Sequence, residues 1–183
     1  MNSMAFLKEA LKSFDTTGAF FHSSRWLAET MLEPVDFGRV GTAVELGVGN
    51  GAITRRILER MMPDAQLTAF EINPVFVDFS RRIQDDRFRL IPESAEKLQQ
   101  YFPDSSVDVI ISSLPLANIP APVKRQILEQ SRRALKPGAL FVQFQYYLGD
   151  LGLLKRYFPS VKIGFTPLNI PPAFVCICLN GMI

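Results

Sequence analysis

Only two cysteines and one histidine occur among the 183 residues. Cys176 and Cys178 lie two apart in Phe174-Val175-Cys176-Ile177-Cys178-Leu179, so a strand would put both on one face, as small buried hydrophobes. One CxC and one histidine are too few for a structural metal, and without a recognisable secretory signal no disulfide framework is expected. Long apolar runs are missing too: none approaches the roughly 18 residues that cross a bilayer. Charge of one sign is equally scarce. Twenty Lys and Arg against 18 Asp and Glu leave a net charge of +2, without the dense basic clustering that marks a nucleic-acid binder. What remains, 48% hydrophobic and 21% charged residues, is enough for one full core and leaves no room for a second.

From residue 42 onward, strand-like and helix-like patterns alternate. Strands are expected at Thr42 to Leu46, Gln66 to Glu71, Arg87 to Ile91, Val107 to Ile111, Ala139 to Phe144, Val161 to Phe165 and Ala173 to Leu179. Helices are expected at Ala52 to Met61, from Pro74, at Ala95 to Tyr101, at Pro122 to Leu135 with a stop at Lys136-Pro137-Gly138, and at Asp150 to Phe158. Such alternation implies an α/β fold: a mostly parallel seven-stranded sheet, helices on both faces, and an antiparallel pair at the C-terminal end. Residues 1–40 stand outside it as an N-terminal helical segment, followed by a domain over 41–183. Met4, Leu7, Leu11 and Phe14 follow helical spacing beside Lys8 and Lys12, which suits packing on the domain or an anionic membrane interface. A second helix is expected from the Ser23-Ser24 cap to Leu32.

Glu45-Leu46-Gly47-Val48-Gly49-Asn50-Gly51-Ala52 leaves the first strand and enters a helix. Glycines there allow a tight turn and close approach of a ligand to backbone N–H groups. A dinucleotide-binding turn would also satisfy this pattern. The acidic Glu45 before the glycines and the GxG followed by Gly51 distinguish it, and Glu71 follows 20 residues later at the end of the second strand, where a carboxylate can meet both hydroxyls of a ribose. Val44 to Gly51 resembles the first motif of the class I S-adenosylmethionine methyltransferases. Phe70-Glu71-Ile72-Asn73 resembles their ribose-binding motif, and Ile91-Pro92-Glu93-Ser94-Ala95 falls where that family contacts adenine. The resemblance implies a Rossmann-like fold that binds S-adenosylmethionine and releases S-adenosylhomocysteine without a metal. It implies cofactor contacts from Glu45, Gly47, Gly49, Gly51, Glu71, Ile72, Ser94, Ala95 and Ser112.

The fourth strand ends in Ser112-Ser113-Leu114-Pro115-Leu116. Methyltransferases that modify amino groups of nucleic-acid bases end this strand in motifs like Asn-Leu-Pro-Tyr, where a polar side chain and a backbone carbonyl grip the NH2 and the aromatic ring stacks on the base. Here the Leu-Pro bend is kept without the amide or the ring, a stacking loss of about 1–3 kcal/mol. An aliphatic amine fits better than adenine. Together with Thr17 to Ser24, Pro137 to Phe144 and Pro171-Pro172-Ala173, this stretch resembles the small bacterial phospholipid N-methyltransferases. His22 and Ala117-Asn118-Ile119 depart from that pattern. The resemblance implies conversion of phosphatidylethanolamine towards phosphatidylcholine, with the enzyme held peripherally on the cytoplasmic face of the membrane and no nucleic-acid partner. An RNA adenine dimethyltransferase relative, another aminolipid or small amine, and a nicotinamide enzyme are the competing readings.

Methyl transfer to nitrogen needs a neutral amine in line with the sulfonium methyl, so catalysis rests on positioning and exclusion of water. Ser113, Leu114, Pro115 and Tyr146 are the candidate catalytic residues. His22 reads better as structural than as a base, and Tyr146 and Tyr147 offer aromatic faces to a methylated cation, with Phe20, Phe21 and Trp26 as further candidates. The basic pairs Arg55/Arg56, Arg81/Arg82, Lys124/Arg125, Arg132/Arg133 and Lys155/Arg156 are expected on solvated helix faces, where they would also attract anionic lipid.

Overall fold

A computed structural model describes residues 25–181. The expected amphipathic helix near the start, and Phe20, Phe21, His22, Ser23 and Ser24, lie outside the described residues. Helix α1 (Arg25–Leu32) leads into β1 (Thr42–Leu46), α2 (Ala52–Arg60), β2 (Gln66–Phe70), α3 (Pro74–Ser80) and β3 (Phe88–Ile91). Then come β4 (Val107–Ser112), α4 (Ala121–Ala134), β5 (Leu135–Gln145), α5 (Leu151–Tyr157), β6 (Ser160–Thr166) and β7 (Ala173–Leu179). The sheet order is β3-β2-β1-β4-β5-β7-β6. Strands β1 to β5 are parallel, while β7 lies between β5 and β6, antiparallel to both.

Strict alternation along the strands divides the core. Val44, Leu46, Ile110, Phe141, Cys176 and Cys178 face one layer, filled by Val123, Ile127 and Leu128 of α4 and Leu154 of α5. Ala43, Leu67, Val109, Ile111, Val142 and Val175 face the other, filled by Leu27 and Met31 of α1 and Ile53 and Ile57 of α2. Both cysteines are free, and burial pushes the Cys176 thiol up to about 11 and the Cys178 thiol higher still. An ion pair between Arg60 and Glu29 ties α2 to α1.

Two expected elements take a different form. The segment expected as a helix over Ala95 to Tyr101 forms a 3-10 helix, Ala95–Gln100, because it closes on i to i+3 bonds such as Lys97 N to Ser94 O at 3.0 Å. Lys136-Pro137-Gly138, expected to end a helix ahead of the strand, belongs to β5 itself. The register jumps from Val107 opposite Leu135 to Val109 opposite Leu140, so the β5 ladder absorbs these residues as a bulge with Gly138 at φ +80°. Asn180 closes the far end: its Nδ2 donates to the carbonyls of Arg132, Leu135 and Lys136, which end α4 and begin β5.

At the amino ends of the central strands, Asp108 works as a staple. Its Oδ2 accepts from the N–H groups of Gly41 (3.0 Å) and Thr42 (2.8 Å), and its Oδ1 from Lys136 Nζ (2.5 Å). Burial works to raise the carboxyl's pKa, but the Lys136 and backbone hydrogen bonds outweigh it and hold the group below its ordinary range. Asp108→Asn is expected to lose about 1–3 kcal/mol of unfolding free energy at neutral pH, measured by urea denaturation. Because the folded-state pKa is the lower one, the wild-type advantage is complete above the unfolded value of about 3.9 and fades as pH falls through the folded value.

Candidate active site

The carboxyl ends of β1, β2, β4 and β5 lie along one edge of the sheet, where an open α/β sheet leaves room for ligands beside strands that part company. Leaving β1, Gly47 adopts φ +80°, and its N–H donates to Phe70 O at 2.9 Å. A Cβ there would come within 3.2 Å of Leu114 Cδ2, so the turn packs directly on the exit of β4. At Gly49, φ +55°, a Cβ would meet no protein atom within 4 Å, and the backbone faces open space. Gly51, φ +75°, opens α2, whose first turn is capped by Asn50 Oδ1 accepting from Ala52 N at 3.1 Å.

Glu71 holds this turn. Its Oε2 accepts from the N–H groups of Val48 (3.0 Å) and Gly49 (3.1 Å), and its Oε1 from those of Ile72 (2.9 Å) and Asn73 (2.8 Å). An ionised carboxylate offers about four lone-pair sites, and backbone donors occupy all of them. Glu71 thus has a structural task, tying the β1 and β2 exits together, which its spacing from the glycines did not disclose. Ser94 is similarly engaged: it is buried, and its hydroxyl accepts from Glu96 N and donates to Glu96 Oε2 at the start of the 3-10 helix, beside buried Ala95.

Glu45 is the opposite case. Fully buried on β1, its two carboxylate oxygens have no hydrogen-bond partner. Burial raises its pKa from 4.5 to about 8; the adjacent Thr54 hydroxyl opposes the rise without completing a hydrogen bond, and the nearby Glu71 charge reinforces it. The acid is therefore held protonated at neutral pH until a cation or a donor arrives.

The β4 exit is built around the expected bend. Ser112 is fully buried and its Oγ accepts from Leu114 N at 3.4 Å. Ser113 continues the ladder through its N–H to Leu46 O, while its Oγ is buried without a partner. The carbonyl of Leu114 is already taken, by Leu116 N (2.8 Å) and by Gln143 Nε2 (2.9 Å). Pro115 carries the chain into a short 3-10 turn, and Leu116 is 2% exposed in the core. On β5, Gln143 is opposite Ser112, and its amide donates also to Phe144 O, which leaves Oε1 buried and unpartnered. Gln145 Oε1 is likewise orphaned two residues on.

Just beyond β5, Tyr146 packs edge-on against Phe144 (ring centroids 5.5 Å apart). Burial raises its pKa, and a hydrogen bond with the Asn169 side chain acts against that. Tyr147 is 58% exposed and turns away from the interior, and Trp26 on α1 is half exposed beneath the Arg25 guanidinium.

Gln143 and Gln145 were not among the residues that the sequence singled out. The signal was Val142-Gln143-Phe144-Gln145-Tyr146: glutamines at period 2 in a strand covered on both faces are polar where packing alone would want apolar side chains. The basic pairs lie on exposed or half-exposed faces as expected, Lys124 excepted. Lys124 is not on a solvated face but buried, 2.5 Å from Asp150, joining α4 to the turn after β5. Arg56, Arg81, Arg132 and Arg133 each lie against a carboxylate.

The strand order and the glycine turn at the first carboxyl end define a class I S-adenosylmethionine-dependent methyltransferase, and the chain belongs to the methyltransferase domain family, whose model matches residues 43–138. Its relatives include an ornithine lipid N-methyltransferase from Singulisphaera acidiphila, 26% identical over 94% of this chain and 93% of that protein. Among solved structures, the N-methyltransferase NodS from Bradyrhizobium japonicum, in complex with S-adenosyl-L-homocysteine, superposes with a TM-score of 0.71 at 12% identity over all of both chains. An S-adenosylmethionine-dependent methyltransferase from Aquifex aeolicus gives 0.67 at 15% identity, over 92% of this chain and 97% of that one. Among the described residues no group of His, Cys, Asp and Glu could hold a metal ion.

Gly47 and Gly49 separate structure from ligand. Gly47→Ala is expected to lower the melting temperature of the ligand-free protein, since both φ and Leu114 oppose a Cβ, whereas Gly49→Ala meets only the backbone cost of about 1–2 kcal/mol. Gly49→Ala should instead lose at least tenfold in S-adenosylhomocysteine affinity by calorimetry. Equal melting losses with equal affinities would remove the distinction.

Proposed function

We propose that the protein methylates the amine nitrogen of an aminolipid headgroup. The observation carrying this reading is an acceptor-rich lip: Ser113 Oγ, Gln143 Oε1 and Gln145 Oε1 are buried oxygens without donors, while the Gln143 amide hydrogens are spent on Leu114 and Phe144 carbonyls. A primary amine brings the donors such a lip lacks. An adenine would need a stacking face, and Leu116, buried in the core, provides none. The Leu114 carbonyl is saturated, so side-chain oxygens take over the grip that a backbone carbonyl supplies in base methyltransferases. Phosphatidylethanolamine is the acceptor expected from the sequence, and ornithine lipid is the one named for the relative. Both carry a primary amine on a lipid, in keeping with the expectation of a protein held peripherally on the cytoplasmic membrane face. No helix among the described residues is long and apolar enough to cross a bilayer.

The residues present fit the cofactor. S-adenosylmethionine supplies an activated sulfonium methyl and carries a cationic ammonium. The open space against Gly49 admits a ligand to the backbone, and the unpartnered Glu45 carboxylate is suited to that ammonium. We assign Ile72, Ser94 and Ala95 to the adenosine end and Ser112 to the wall beneath the methyl. A ribose at Glu71 would replace two of the four backbone donors, so Glu71 contributes to the turn and to the ligand together. Ser113 receives the amine, Leu114 and Pro115 set the bend that presents it, and Tyr146 borders the methylated product.

Transfer of labelled methyl from S-adenosylmethionine is to be measured on vesicles of phosphatidylethanolamine and, in parallel, of ornithine lipid. Label on a lipid amine is the expected result, and label on neither, from protein that binds the cofactor, sinks the reading. Ser113→Ala should lower kcat/KM roughly 10–100-fold, the loss of one hydrogen bond to a charged or polarised partner, with cofactor affinity unchanged. Cofactor affinity should rise up to about tenfold per pH unit towards pH 8, because the ionised Glu45 binds the cation and its raised pKa leaves it protonated below that value. In Glu45→Gln that rising limb should be flat in calorimetric titrations.

A further inference from the structure

The turn between β6 and β7 has its polarity inside out. Asn169 is 1% exposed, with Nδ2 donating to Pro171 O at 2.7 Å and its side chain bonded to Tyr146, whereas its neighbours Leu168 and Ile170 are 58% and 85% exposed. Phe165, 53% exposed and stacked at a tilt on Phe174 (5.1 Å), and Ile163, 45% exposed, continue the apolar surface down the edge strand. From Ile163 to Leu179 the chain contains no charged residue.

The topology fixes where this surface lies. Strand β6 is antiparallel to β7, and β7 to β5, so β6 runs in the same direction as β5 and its carboxyl end shares the edge that holds Ser113, Gln145 and Tyr146. Prolines 167, 171 and 172 stiffen the turn, and the buried Asn169 pins it to Tyr146. The apolar tips are therefore held outward by the same residue that contacts the pocket wall.

We infer that this turn is a wedge that enters the interfacial layer of a lipid bilayer and sets the pocket mouth against the headgroups. Its four apolar side chains expose on the order of 400 Å², the size at which a surface patch marks an interaction site. A stable pairing of two protein copies needs about 800 Å² from each partner. A few apolar side chains at the level of the headgroups are sufficient for reversible membrane association, and the absence of charge over this stretch removes the cost of dehydrating ions there. The inference rests on the aminolipid reading for its purpose, but the docking has its own test.

The full chain and its Leu168→Asp/Ile170→Asp variant are to be sedimented with vesicles of phosphatidylcholine and phosphatidylglycerol, with Met62→Asp, a 48% exposed apolar site between α2 and β2, as control. The double variant should lose at least tenfold in bound fraction, Met62→Asp should bind as the wild type does, and all three should keep their affinity for S-adenosylhomocysteine. Sedimentation of the double variant at the wild-type level, or a wild type that does not sediment, overturns the wedge. So does a wild-type dimer in solution that the double variant converts to monomer without any vesicle effect. Methyl transfer to a detergent-dispersed aminolipid, which needs no docking, reports separately on the amine reading: retained activity of the double variant there, with loss on vesicles, is the expected pair of results. A wild type inactive in detergent would count against the substrate and not against the wedge.

Discussion

Four backbone N–H groups, from Val48, Gly49, Ile72 and Asn73, converge on the carboxylate of Glu71, and the geometry of the pocket depends on that convergence. Two parallel strands deliver their loops to one sheet edge, where neither loop has ladder partners left. A single carboxylate accepting from both loops satisfies donors that would otherwise have to find water at a dry edge. Gly47, bonded to Phe70 and seated against Leu114, carries the same constraint across to β4. The exits of three strands are thereby fixed relative to one another before any ligand binds.

Against that satisfied frame, the unsatisfied atoms stand out. Glu45, Ser113, Gln143 and Gln145 hold buried oxygens without donors at the carboxyl ends of β1, β4 and β5. Each such group costs about 1–3 kcal/mol of desolvation in the free protein, a cost natural folds tolerate where function repays it. Oxygens already stripped of water and already oriented need little reorganisation when a donor arrives. The same low dielectric that keeps Glu45 protonated would strengthen its attraction to a cation once ionised.

Much of the fold was legible because it is written in local patterns. Six of the seven strands matched their periodicity to within about one residue at each end, and the glycine turn, Glu71 and the Leu-Pro bend all sit at the pocket edge. What escaped depended on partners distant in the chain. The Gln143 amide makes sense only beside Leu114, Asn169 only beside Tyr146, and Lys124 only beside Asp150. The bulged start of β5 was hidden for the same reason: Lys136-Pro137-Gly138 has the composition of a helix stop, and only Asp108 and Asn180, from elsewhere, hold it as part of the sheet. Spacing located the two carboxylates at the pocket edge but could not say which has its hydrogen bonds and which lacks them.

The placement of β7 has a consequence for synthesis. As the chain leaves the ribosome, β1 to β5 can assemble in order, but β5 keeps a bare edge and β6 has no neighbour until Leu179 has emerged, because the last strand must enter between them. Asn180 then supplies the donor shared by three carbonyls at the junction of α4 and β5. A nascent chain stalled before that point presents unpaired strands and an unfinished helix end, the kind of surface on which chaperones act and from which aggregates grow.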